Sequence, residues 1–308
     1  MLRPVDEDRA VAPTPGPRIA GRELIVLVGG YQSCACPDDG TFDALRDRLS
    51  GNDRFDIVRF GADPRFPYDT YGPVQPSANN LRDQIRSLAP QYDGVHVVTH
   101  SMGGVVADRA FASGLSYSDG VVSYVSWSAP HSGSDAARAL LIAGELSGSV
   151  NGPFRESLLW LRKETESPAM RDLALAGPVP PPPGVVRLDL REASDILVTA
   201  RDGNDPGVPS RTLIGPLEGH GGILTDPVAL DLTLRTISDR RVPPEERPLP
   251  VVLAAEQQSE QVGLWVLGAI CVLGFLACAS AALQSQLRLP YVPALQRLLP
   301  RVQRRPCP

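Results

Sequence analysis

The sequence predicts an α/β fold in which a mainly parallel sheet carries helices on both faces. Three observations carry this reading. Short continuous apolar runs recur along the chain, helical spacing fills the intervals between them, and the runs end in glycine or small polar residues. Strands alternating with helices require crossover connections, which lay the strands parallel and place helices over both faces. A strand covered on both faces is apolar throughout rather than at every second residue.

Residues 1–21 are dense in proline and charge and show no apolar period, so they are expected to form a flexible N-terminal arm. The folded part is expected over 22–238. Its first strand is the run at 24–28, which ends in Gly29-Gly30, and similar runs follow at 55–60, 95–99, 121–126 and 185–190, with a further strand near 211–214. Helical spacing occupies 41–49, 78–89, 102–113 and 226–238. From 132 to 184 the alternation breaks into helical-looking pieces and ends in a proline-rich turn; an insertion there is expected to be a lid or pocket wall, the alternative being an elaboration of the scaffold.

Residues 239–261 are polar and proline-containing, as a stalk would be. The segment 262–283 then carries no charge. About 20 helical residues span a hydrocarbon core of about 30 Å, so this segment is expected to be a single C-terminal transmembrane helix. The tail at 284–308 holds Arg288, Arg297, Arg301, Arg304 and Arg305 and no acid. Positive charge favours the cytoplasmic side for the tail, which would put residues 22–238 outside. The N-terminus, however, lacks the basic start and apolar stretch of a secretory signal, so the side on which the folded part lies stays open.

A net charge of −5 and the lack of a basic run interleaved with aromatics before residue 260 argue against a nucleic-acid partner. With 43% hydrophobic and 21% charged residues, the chain has the composition of an ordered globular protein. The five cysteines do not have zinc-site spacing. Cys34 and Cys36 share one loop, as two free thiols or a strained local disulfide.

The stretch from Val95 through His100, Ser101, Met102, Gly103 and Gly104 runs a strand into a helix through one tight turn, with small residues around a single serine. That arrangement lifts the serine hydroxyl above the sheet and aims helix N-terminal N–H groups beside it. A serine hydroxyl needs a base to take its proton, and the base needs an orienting acid. Four histidines are available. His96 lies inside a strand, and His100 precedes the serine and is expected to point away from it. Only His131 and His220 follow Ser101.

Thr99-His100-Ser101-Met102-Gly103 resembles the nucleophile elbow of α/β-hydrolases, with threonine in place of the first glycine. The likeness is to lipases and esterases, and through Pro130-His131-Ser132-Gly133 to glycosylphosphatidylinositol inositol-deacylase-like hydrolases. It implies the order Ser, Asp, His, with Ser101 as nucleophile, Asp195 in the loop after the strand at 185–190, and His220 in the glycine-flanked loop before the last helix. Asp189, Asp202 and Asp205 are rival acids, and His131 is the second choice for the base. The backbone N–H groups of Tyr31 and Met102 are expected to form the oxyanion hole. Gly30, Gln32, His100 and His131 are expected to border the substrate.

The resemblance implies no metal and no organic cofactor. It implies cleavage of an acyl ester, a lipid one given the anchor. An acyltransferase using the same triad is the alternative, and a non-catalytic membrane-tethered module is a more distant one.

Overall fold

The structure is a computed structural model that describes residues 20–33, 39–148, 167–199, 201–214 and 219–244, together with positions 257, 258, 261, 265 and 268. Six strands form one sheet: β1 (Glu23–Val28), β2 (Phe55–Arg59), β3 (Val95–His100), β4 (Val121–Trp127), β5 (Val186–Glu192) and β6 (Ser210–Leu213). Their spatial order is β2-β1-β3-β4-β5-β6, and every neighbouring pair is parallel.

Residues on alternate sides of each strand feed two separate cores, as the two-residue period of a strand requires. Leu24, Val26 and Val28 of β1 pack with Val95, Val97 and Tyr124 under α2 (Val74–Leu88) and α3 (Met102–Ala112). Ile25 and Leu27 face the opposite way and join Val98, Val125, Trp127, Leu188 and Leu190 beneath α1 (Asp43–Leu49) and α6 (Pro227–Asp239). Trp127 is fully buried there, and its Nε1–H donates to Thr233 Oγ1 at 2.9 Å, so the largest side chain of this core leaves no donor unsatisfied.

Helix α2 begins at Val74, four residues before the helical spacing in the sequence, because Pro76 falls in its first turn. The first four N–H groups of a helix have no intrahelical acceptor, so a proline there removes nothing. The N–H of Val74 donates instead to Asp172 at 2.7 Å, tying α2 to α5 (Pro168–Ala174). The insertion contributes α5 and, before it, α4 (Asp135–Gly148); residues 149–166 lie outside the described residues.

The expected transmembrane segment 262–283 also lies outside the described residues apart from Trp265 and Gly268, as do the tail, most of the N-terminal arm, and Cys34 and Cys36. Among the described residues no helix is long and apolar enough to cross a membrane.

The strand order reverses at β1, which has β2 on one side and β3 on the other. In an open parallel sheet the loops leaving the carboxyl ends of two such strands diverge to opposite faces and open a crevice. Here those loops are 29–33 and the turn at Ser101, which makes this the place to look for a site.

Candidate active site

Ser101 lies between β3 and α3 with φ 56° and ψ −128°, a backbone region that non-glycine residues seldom occupy and that costs about 1–3 kcal/mol. Its surroundings enforce it. The Ser101 N–H donates to Trp127 O at 2.9 Å, and the Gly104 N–H donates to Ser101 O at 2.9 Å. The glycines after it are needed for contact: a Cβ on Gly103 would press into the Val28 and Gly29 carbonyls, and one on Gly104 would strike Ala129.

Loop 29–33 closes on the serine from the other side. A Cβ on Gly30 would lie 2.8 Å from Ser101 Cβ, so Gly30 serves close approach rather than lining the cavity. Its neighbour Gly29 is held by Tyr68, whose hydroxyl donates to the Gly29 carbonyl at 2.7 Å; burial pushes the Tyr68 pKa up and keeps that donor protonated. Gln32 turns with φ 61°.

His220 lies in the short 3-10 helix Gly219–Leu224, and its ring closes a chain of hydrogen bonds. Nε2 is 2.7 Å from Ser101 Oγ, and Nδ1 is 2.7 Å from Asp195 Oδ2. Asp195 is fully buried, and its other oxygen accepts the N–H groups of Leu197 and Val198, each at 2.9 Å. Two backbone donors thereby fix the carboxylate plane and leave Oδ2 for the imidazole. The rival acids are engaged elsewhere. Asp189 accepts from Ser126 and Arg187, Asp205 pairs with Arg187, and Asp202 accepts the Asp135 and Thr199 N–H groups. Burial and the nearby Asp135 raise the Asp202 pKa to about 6.

Ser101 and His220 open onto a cavity of about 310 Å³. Its walls are mainly apolar: Ala136, Ala137 and Leu140 from α4, Met170 and Leu173 from α5, and Leu197 and Val198 from the loop that carries Asp195. Tyr31 and Gln32 line it beside the serine, and the Tyr31 hydroxyl lies 3.4 Å from Ser167 Oγ at the start of α5. Met102 is the first residue of α3, where N–H groups have no intrahelical acceptor and concentrate the positive end of the helix. Ala136, Ala137, Leu140, Met170 and Leu173 fall in the insertion 132–184, for which a lid or pocket wall was the sequence expectation, although none of them had an individual signal. Leu197 and Val198 had one only as neighbours of Asp195.

Three of the four expected substrate-bordering residues, Gly30, His100 and His131, are not in the cavity wall, and the expectation is corrected for each. His100 is 8% exposed, and its Nε2–H donates to the His220 carbonyl at 3.2 Å. His131 is 1% exposed and lies beneath the cavity among Asp108, Asp189, Arg187 and Asp205. Its neighbour Pro130 lines the cavity in its place. Coordinating atoms of Asp108, His131 and Asp205 fall within 4.8 Å of one another, close enough to hold a cation. Arg187 Nη2 already stands 2.8 Å from Asp205 and 3.5 Å from Asp108, so the guanidinium supplies the positive charge of this cluster.

In strand order, elbow and loop positions the chain has the layout of an α/β-hydrolase. No protein-family model matches it, and no curated protein matches it in sequence. Among solved structures it is similar to Aspergillus fumigatus lipase B, at 18% identity and a TM-score of 0.49 over 84% of this chain and 64% of that one. It is also similar to a Bacillus licheniformis lipase in its mature form (14%, TM-score 0.49, 75% and 97%). A third is the 2-hydroxy-6-oxo-6-phenylhexa-2,4-dienoate hydrolase of a Rhodococcus strain (15%, TM-score 0.44, 71% and 91%). This chain thus spans under two thirds of the length of lipase B. Likeness at this level concerns the course of the chain, and the chemistry must be read from the site itself.

Proposed function

We propose that this protein is a serine hydrolase that cleaves carboxylic esters through an acyl-enzyme. The observation that supports this best is the continuous chain from Ser101 Oγ through His220 to Asp195, with its serine end open to an apolar cavity. In the first step His220 Nε2 takes the hydroxyl proton while Ser101 Oγ attacks the ester carbonyl. Asp195 holds the imidazole in the tautomer that presents Nε2 as acceptor and stabilises the imidazolium that forms. The backbone N–H groups of Met102 and Tyr31 receive the oxyanion, an interaction worth about 10²–10³ in rate per donor in comparable sites. His220 then returns the proton to the leaving alcohol, and water repeats the sequence in reverse to free the acid.

The acyl part of the substrate fits the apolar walls, with the ester carbonyl at the polar end near Ser101 and Gln32. The uncharged segment 262–283 would tether the enzyme to a membrane as a single-pass anchor, where long-chain acyl esters collect.

The test is labelling of the detergent-solubilised protein with a fluorophosphonate, beside hydrolysis of short- and long-chain p-nitrophenyl esters. Labelling confined to Ser101 with ester turnover is the expected result. Absence of both in the wild type would leave a non-catalytic module, and transfer to an added acceptor alcohol in preference to water would make the enzyme an acyltransferase.

A further inference from the structure

His220 is flanked by glycines on both sides. Gly219, with φ 65°, precedes it and Gly221 and Gly222 follow, and glycine loses more conformational freedom on ordering than any other residue. A base that must stay within hydrogen-bond reach of both Ser101 and Asp195 needs its main chain tied down from outside this turn. Among the described residues His100, the last residue of β3, reaches it. Its Nε2 lies 3.2 Å from the His220 carbonyl oxygen, and its ring packs on the His220 ring with centroids 4.9 Å apart and planes at 38°.

We propose that His100 is a positioning residue for the catalytic base: its Nε2–H anchors the His220 carbonyl and its ring backs the His220 imidazole. The proposal rests on the hydrolase reading above. It gives a function to the residue before the nucleophile, which the chain does not use to touch substrate. Because the bond is to a carbonyl, Nε2 must carry a hydrogen, and a neutral ring then leaves Nδ1 bare. Burial and the neighbouring His220 lower the His100 pKa to about 3, so the ring stays uncharged while His220 gains its proton during turnover. A neutral ring face beside a forming imidazolium is favourable, whereas a second cation there would oppose it.

Two substitutions separate the contributions. His100→Gln keeps a donor and His100→Phe keeps a ring. Misplacing a reacting group by about 1 Å can cost about 10²-fold. We expect His100→Phe to lower kcat for a p-nitrophenyl ester and the rate of fluorophosphonate labelling at Ser101 by about 10- to 100-fold, with KM within about twofold. His100→Gln should recover most of that loss. A KM effect with kcat intact would overturn the proposal and return His100 to the substrate site. Equal losses in both variants, tracking a lowered melting temperature, would overturn it in favour of a purely structural role.

A measurement on the wild-type protein is independent of whether either variant folds. Nitrogen-15 NMR of the histidine rings in the detergent-solubilised full chain should show His100 as the neutral Nε2–H tautomer at pH 5–8. A charged ring or the Nδ1–H tautomer in that range would overturn the assignment. Failure of the hydrolase reading looks different, since there the wild type itself would neither be labelled nor turn over ester, and the positioning role would fall with it.

Discussion

The described residues include two Ser-His-Asp arrangements, and only one of them has the makings of a catalyst. In the first, His220 lies 2.7 Å from Ser101 Oγ and 2.7 Å from Asp195. In the second, His131 Nε2 lies 2.8 Å from Ser126 Oγ and Nδ1 lies 2.5 Å from Asp108 Oδ2. The distances hardly distinguish them. The surroundings do. Ser126 is fully buried in β4 and donates its own proton to Asp189 at 2.8 Å, so its oxygen can only accept from His131. His131 Nε2 must therefore carry a hydrogen, while Nδ1 lies between the Asp108 carboxylate and Arg187 Nη2, a donor 3.1 Å away. Burial disfavours a charge on this ring, but Asp108 and Asp189 raise its pKa against the repulsion of Arg187. A nitrogen that already carries its hydrogen cannot take a proton from serine. Ser101 has what Ser126 lacks: a strained turn that exposes its hydroxyl, a helix N-terminus beside it, and a cavity in front of it.

The largest expected effects test that contrast directly. Ser101→Ala and His220→Ala should each lower kcat/KM for a p-nitrophenyl ester by at least about 10⁴-fold, leaving the melting temperature nearly unchanged. Ser126→Ala should do the reverse, keeping turnover within about threefold and costing about 1–3 kcal/mol of stability, because Asp189 and His131 each lose a buried partner. Loss of fluorophosphonate labelling in folded Ser126→Ala would break the comparison.

Next in size are the groups that orient each histidine. Asp195→Asn keeps the shape but favours the wrong imidazole tautomer, and a drop of about 10⁴-fold in kcat is expected. In the buried cluster, Arg187 faces Asp108, Asp189 and Asp205 and stacks its guanidinium over the Tyr124 ring at 4.9 Å. Arg187→Met would strand those carboxylates, at a cost of about 3–5 kcal/mol measured by denaturant unfolding. A stable Arg187→Met protein would mean that the cluster is held by His131 alone.

The parts of this contrast that could be read in the sequence are those set by local pattern. The apolar runs and intervals located all six strands and the helices that flank the elbow, because a parallel sheet demands continuous apolar segments. Ser101 was singled out by the strand–turn–helix around it, and Asp195 and His220 by the loop order that the resemblance implies, with Asp189, Asp202 and Asp205 as rivals to Asp195. What the pattern could not supply is the contact itself, since that depends on which carboxylate meets His220 in the packed fold. Asp108 and Arg187 carried no signal: a charge in a helix or strand shows burial only once its partners, 23 and 56 residues from His131, are seen packed around it. The expectation that His131 borders the substrate failed for the same reason.

The smallest expected effect concerns pH. A histidine whose pKa is raised by folding stabilises the folded state fully below its unfolded value of about 6.5. That contribution disappears as the pH rises through the folded-state value. His131 faces Asp108, Asp189, Asp205, Arg187 and the Tyr124 ring. The wild-type melting temperature should therefore fall as the pH rises above about 6.5, while His131→Gln, less stable at pH 6, should fall less steeply and approach the wild type at alkaline pH. Parallel curves for the two proteins would mean that folding leaves the His131 pKa unraised and that Arg187 alone balances the carboxylates of the cluster.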